Sequence, residues 1–193
     1  MVTTKKFNLD DIIDAVGSPL KKNTLSLGID VAQIKTGICL LRTDDKFLYI
    51  EGLYILFAKK QKNTLHQMVD KYVHEADQIR DKVEKDSGKT KQTKILIIED
   101  CWFGKSVWTT KILAKFAVIV YLVFKKWATV TPDPIQPTTA RKRIGFKKDK
   151  EDSDDIKTQV RSYLSEKFDI EIADGDLADA CVLALAGLIT TED

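Results

Sequence analysis

Four carboxylates are set apart by where they fall in the chain. Asp30 closes the apolar run LSLGID, Glu99 closes KILIIE, and Asp176 and Asp179 open the small-residue stretch DLADACVLALAG. Taken singly each is ordinary. An acid after a strand is a common turn residue, and an acid opening a helix caps free N–H groups and meets the positive helix end. The conjunction is less ordinary, because neighbouring strands that end at one sheet edge would bring Asp30 and Glu99 together, and a spacing of three puts Asp176 and Asp179 on one helical face. Two carboxylates about 4 Å apart repel by roughly 4 kcal/mol at an effective dielectric near 20. Such a cluster persists only if a proton or a cation neutralises it. Oxygen-only ligands select a hard divalent ion, magnesium or manganese in preference to zinc.

The elements that must position these acids can be read from hydrophobic spacing. Three successive runs rich in apolar and β-branched residues, LSLGID, TGICLLR and KFLYIEGLYILF, are separated by short polar breaks and predict three antiparallel strands. Residues 63–86 carry Leu65, Met68, Val69, Tyr72, Val73, Ala76, Ile79 and Val83 at the spacing of an amphipathic helix. TKILIIED reads as a central strand covered on both faces. An apolar helix over about 105–126, a short strand ATVTP, a proline-broken connection with a basic loop, a helix near 153–167 and the final helix from Asp176 follow. Ahead of them, NLDDIIDAVGS has a cap at Asn8 and a terminating Gly17, which predicts a leading helix. The expected fold class is α/β: a mixed five-stranded sheet flanked by helices, with a helical extension over 1–23 and one domain over 24–193.

The bulk figures narrow the field. A chain of 193 residues, 44% apolar, can bury one sizeable core. Charged residues nearly cancel at +2, so a polyanionic partner must be argued from local clusters. The three cysteines, Cys39, Cys101 and Cys181, are widely spaced and without a C-x-x-C pair, which argues against a disulfide framework or a zinc site. The first residues carry acids where a signal peptide needs an apolar core, and the most apolar segment is interrupted by Lys115, so a cytoplasmic location is expected.

The order of the acids, one ending the first strand, one ending a later central strand and a D-x-x-D opening a terminal helix, resembles the ribonuclease-H-like nucleases. Within them it resembles the RuvC family of Holliday junction resolvases. GIDVAQIKTG is similar to the family's first-strand motif, IIED to its central-strand motif and DLADACVLALA to its final helix. The similarity runs from about Leu25 to Thr190, and the segment up to Asn23 has no counterpart in the compact bacterial pattern. The chain therefore looks more like a phage-type or otherwise divergent member. The resemblance implies a ribonuclease-H-like fold, with Asp30, Glu99, Asp176 and Asp179 as catalytic metal ligands. It also implies two Mg2+ per site (Mn2+ substituting), hydrolysis leaving 5′-phosphate and 3′-hydroxyl ends, and a homodimer that nicks four-way and other branched DNA in pairs.

Further residues acquire expected roles from the same resemblance. Lys157 falls where the family carries a lysine near the scissile phosphate; otherwise it would pair with Asp154, three positions earlier. Arg141, Lys142, Arg143, Lys147 and Lys148 make a basic cluster suited to a phosphate backbone, and such a cluster is otherwise a solvated loop. Trp102 and Phe103, with Lys105 in the same loop, follow the central-strand glutamate, where an aromatic can stack on unpaired bases; Phe103 equally suits a core position. The helix after them has more apolar faces than one sheet covers, as an interface would. Three alternatives stay open: a noncatalytic branched-DNA-binding protein, a ribonuclease-H-like nuclease with another substrate, and an actin-like ATPase, whose phosphate loop GIDVAQIKTG also resembles but which needs a second domain.

Overall fold

The computed structural model describes residues 5–32, 34–57, 65–88, 91–100, 107–149 and 151–190. Its centre is a five-stranded sheet in the order β1-β4-β3-β2-β5. The strands are β1 (Lys5–Asn8), β2 (Thr24–Asp30), β3 (Lys35–Thr43), β4 (Phe47–Phe57) and β5 (Thr93–Ile98). β2, β3 and β4 form the expected antiparallel meander, and β5 lies parallel to β2 with Ile29 opposite Ile98. Six helices cover the sheet: α1 (Leu9–Val16), α2 (Leu65–Asp86), α3 (Val107–Phe124), α4 (Pro137–Arg143), α5 (Ile156–Phe168) and α6 (Gly175–Leu188).

Strand alternation decides where the acids point. Successive strand side chains face opposite sides of a sheet. In β2, Leu25, Leu27 and Ile29 join the core under α2 and α3, so Ser26, Gly28 and Asp30 face α6. In β5, Ile95 and Ile97 join the opposite core under α6, which carries Glu99, two residues on, to the same side as Asp30. The two cores hold different helices. Leu9, Ile12, Ala140, Val160, Leu164 and the alanines of α6 fill one, and Tyr72, Ala76, Ile112, Phe116, Val120 and Phe124 fill the other. Tyr72 stacks on Phe116 at 4.0 Å between ring centroids, and its hydroxyl lies 2.7 Å from Thr36 Oγ1, which satisfies the buried polar tip.

Helix α6 lies unusually close to the sheet because glycine leaves it room. A Cβ on Gly28 would sit 2.2 Å from Ala180 O, and one on Gly37 would sit 2.2 Å from Asp176 O. These contacts bring the first turn of α6 against the ends of β2 and β3, where its acids meet the strand acids. Ser26 Oγ completes the seam by donating to Ala184 O at 2.7 Å.

Two elements differ from the sequence reading. ATVTP is not a strand of the sheet: Val130 and Ile135 make only single bridges, parallel to Ile95 and Glu99. The fifth strand is instead β1, from the leading segment, which pairs antiparallel with β4 and covers that edge. The basic loop is also partly helical. Pro137 opens α4, whose last turn holds Arg141, Lys142 and Arg143. Pro is preorganised for a first helical position, and cations suit the negative helix end. The leading helix is as expected, with Asn8 accepting from Asp10 N at 3.1 Å and Gly17 closing it in the left-handed conformation.

Candidate active site

The site is assembled by three kinds of local structure. β2 and β5 end side by side, and Glu99 N donates to Ile29 O at 3.0 Å, which sets Glu99 next to Asp30 across the strand ends. The cap of α6 is Asp174, whose Oδ1 accepts from Asp176 N and Leu177 N at 3.0 and 3.2 Å. That leaves Asp176 and Asp179 free of capping duty and directed at the strand acids. From α5, Lys157 reaches back into the group.

Lys157 sits among the acids. Its Nζ contacts Asp176 Oδ1 and lies 3.8 Å from both Asp30 Oδ2 and Asp179 Oδ2, so Asp154 is not its partner. A second cation closes the far side. Arg141 donates through Nη2 at 2.8 Å and Nε at 3.3 Å to Asp179 Oδ1, with only 11% of its side chain exposed. Pro137, Ala140 and Arg141 of α4 thus wall a narrow cleft with Asp30, Glu99 and Asp179. A third cation, Lys35 at the head of β3, pairs with Asp174 and lies 3.6 Å from Asp176 Oδ2. Lys35 and Asp174 were not singled out in the sequence, where 139 positions separate them.

Burial sets the electrostatics. Asp30 is 7% exposed and Asp179 6%. Burial raises the Asp30 carboxyl above the ordinary carboxylate range, with the charges of Asp179 and Asp176 adding to it, while the Glu99 hydrogen bond and Lys157 oppose. Burial, then the hydrogen bond and charge of Asp30, push Glu99 up to about 10. Without a cation between them, Asp30 and Glu99 therefore share a proton at neutral pH.

Do these residues suit a divalent ion? Asp30 Oδ2 is buried and without a hydrogen-bond partner, and among the described residues only the Lys157 ammonium, at 3.8 Å, offsets its charge. The donors are all carboxylate oxygens, which is the chemistry of a magnesium or manganese site. As the side chains stand, no group of three or more acid, histidine or cysteine residues among the described residues is spaced to hold an ion. The reason is visible in the site: the Lys157 ammonium lies in the space between the acids. Its side chain is 43% exposed and can withdraw. The donor set fits, with Lys157 as the cation already in residence.

Of the other expected residues, Lys142, Arg143, Lys147 and Lys148 are exposed on α4 and the segment after it. Arg141 is turned inward to Asp179 and not outward as a surface residue would be. Trp102, Phe103 and Lys105 lie outside the described residues, as does Cys101. Cys39 and Cys181 are buried thiols. His74 is paired with Gln78 at 3.0 Å on the exposed side of α2.

No family model matches the sequence, and no curated protein sequence matches it. Solved structures do resemble it. The Thermus thermophilus RuvC in complex with a Holliday junction substrate superposes with a TM-score of 0.62 at 11% identity, over 84% of this chain and 91% of that one. A second structure of Thermus thermophilus RuvC gives 0.60 at 11% identity, over 84% and 92%. The yeast mitochondrial Holliday junction resolvase Ydc2 gives 0.51 at 11% identity, over 92% of this chain and 84% of that one. At that identity the likeness is one of fold: the chain has the RuvC-like form of the ribonuclease-H-like sheet.

Proposed function

We propose that the protein is a divalent-metal-dependent endonuclease that cuts branched DNA, four-way junctions foremost. The observation that carries this reading is the convergence of Asp30, Glu99, Asp176 and Asp179, from β2, the end of β5 and α6, on one partly buried site that also holds Lys157. Its architecture is similar to that of junction resolvases. Asp30, Glu99, Asp176 and Asp179 would hold Mg2+ or Mn2+, which when bound supplies an activated water and stabilises charge on the phosphate and the departing 3′ oxygen.

The chain's own groups do the rest. Asp30 and Glu99, which share a proton in the metal-free protein, would hold the ion as carboxylates. Lys157, which contacts Asp176, would direct its half-exposed ammonium to a phosphate oxygen. Arg141 holds the Asp179 carboxylate in place. Lys142, Arg143, Lys147 and Lys148 supply cations for the backbone, and Trp102 and Phe103, with Lys105, which follow Glu99 within six positions of the sequence, are assigned the contact with unpaired bases. Ends with 5′-phosphate and 3′-hydroxyl groups follow from this chemistry. Cytoplasmic work on DNA belongs to the same proposal; no helix among the described residues is long and apolar enough to cross a membrane.

A homodimer would match the two equivalent strands of a junction. Helix α3 supports that arrangement: Ile112, Phe116, Val120 and Phe124 are buried, while Val118 and Leu122 on its other face are 57% and 60% exposed.

The test is a cleavage panel with Mg2+ on four-way junctions, forks, linear duplex and RNA–DNA hybrids. Paired nicks in the four-way junction that a DNA ligase can reseal are the expected outcome. Cleavage confined to hybrids would identify another ribonuclease-H-like nuclease, and tight junction binding without any cleavage would identify a noncatalytic binder; either overturns the proposal.

A further inference from the structure

The leading segment is packed into the fold next to the basic helix α4. The linker after α1 runs beside the end of α6: Lys21 N donates to Leu188 O at 2.7 Å, Thr190 N donates to Pro19 O at 2.9 Å, and Lys21 Nζ donates to Gly187 O at 3.0 Å. The turn that follows α4 meets the same region, since a Cβ on Gly145 would lie within 4 Å of Ala15 O and Val16 O. Lys21 and Arg143 are near enough that the guanidinium, after burial, lowers the Lys21 ammonium below the usual lysine range.

These cations are uncompensated. Lys21, Lys22, Lys142 and Arg143 are all exposed, and none is in an ion pair among the described residues. Elsewhere some cations are matched, Arg80 to Asp77 and Asp81, Lys71 to Glu75, and Arg42 to Glu51, and others such as Lys82 and Lys85 stand without an acid among the described residues; what sets these four apart is that two segments bring them together. The acid beside the linker, Asp45, is taken by the side-chain amide of Asn23 at 3.1 Å. Four like charges gathered from two segments over 100 positions apart make a local positive patch, which draws an anion.

The cluster also points somewhere. α4 packs on α6, and its last turn sends Arg141 to Asp179 at the site and Arg143 toward Lys21, whose Nζ reaches Gly187 O at the other end of α6. At 1.5 Å per residue, Asp179 to Gly187 is about 12 Å along the helix. That equals the axial rise of about three to four base pairs of duplex, at about 3.4 Å each.

We infer that Lys21 and Lys22 of the leading segment form, with Lys142 and Arg143, a basic track that holds the phosphate backbone of one junction arm leading away from the cut. This deepens the proposed function and rests on it. The leading segment then extends the DNA surface in addition to covering the sheet edge.

The experiment is equilibrium binding of the full-length protein to a labelled four-way junction, with Ca2+ in place of Mg2+, over a salt series. Lys21→Gln/Lys22→Gln is expected to weaken binding about tenfold at 150 mM salt and to make the logarithmic salt slope shallower by about 1.8, at about 0.9 per phosphate contact. Lys22→Gln alone, whose side chain makes no bond in the fold, is expected to remove about half of that change. Lys71→Gln/Lys82→Gln on α2 removes equal charge elsewhere and should leave the slope as it is. A wild-type slope in both Lys22 variants, or an equal loss in the α2 control, overturns the track. Absence of any junction preference in the wild-type protein overturns the underlying reading, and the track with it.

Discussion

The Asp30→Asn protein is expected to bind four-way junctions within a few-fold of wild type and to cut them at least about 10³-fold more slowly. Several kcal/mol of transition-state stabilisation at a metal site correspond to that factor. The argument is geometric. Asp30 is buried, ends β2 and presents an oxygen without a hydrogen bond toward the other acids. The amide keeps its shape and removes its charge, so the fold and the basic surface remain and a strong anionic ligand is lost. Single-turnover cleavage and anisotropy on the same preparation separate the two effects. An Asp30→Asn enzyme with full activity would end the nuclease reading.

The second large effect is on stability. In the chelated protein, burial and the neighbouring Asp30 and Asp179 push the Glu99 carboxyl from 4.5 up to about 10, against the opposing pull of Lys157, and Asp30 shifts in the same direction. A raised folded-state value means that the native state holds a proton which the unfolded chain releases above its own pKa. The native state therefore loses stability as pH rises from about 4.5 toward 10, and this destabilisation is absent below the unfolded value. Between pH 5 and pH 9 the melting temperature in chelator should fall. Glu99→Gln, which keeps the hydrogen-bonding shape without the charge, should raise it at pH 9 by at least about 3 °C, the effect of about 1 kcal/mol in a chain of this size. Millimolar Mg2+ should stabilise wild type more at pH 9 than at pH 5, because the cation takes over the neutralising role of the proton. A flat pH profile in chelator, unchanged by Glu99→Gln, would mean that the two carboxyls are not coupled as described.

Much of this site could be read before the fold was known because its parts are local. Alternation within LSLGID and KILIIE sets the faces of Asp30 and Glu99, and the D-x-x-D spacing sets the face of α6. The parts that could not be read are those whose stability comes from distant contacts. β1 is four residues, mostly exposed, and is a strand only because β4 offers a free edge. α4 buries a single alanine, so it shows no periodicity; Pro137 at its start and the basic last turn were the available signs. Lys35 and Asp174 are brought together by the close approach of α6 that Gly37 permits, and nothing near either residue announces it. Arg141 belonged to a run of cations that suggested solvent and phosphate, yet the helix turns it to Asp179 while its neighbours stay exposed.

The most direct test is an anomalous diffraction map of crystals grown with Mn2+. The account predicts a peak among Asp30, Glu99, Asp176 and Asp179, about 2.1 Å from the nearest carboxylate oxygens as hard divalent ions require, with the Lys157 ammonium moved off Asp176. Manganese bound elsewhere, or none bound while Lys157 stays among the acids, would contradict it.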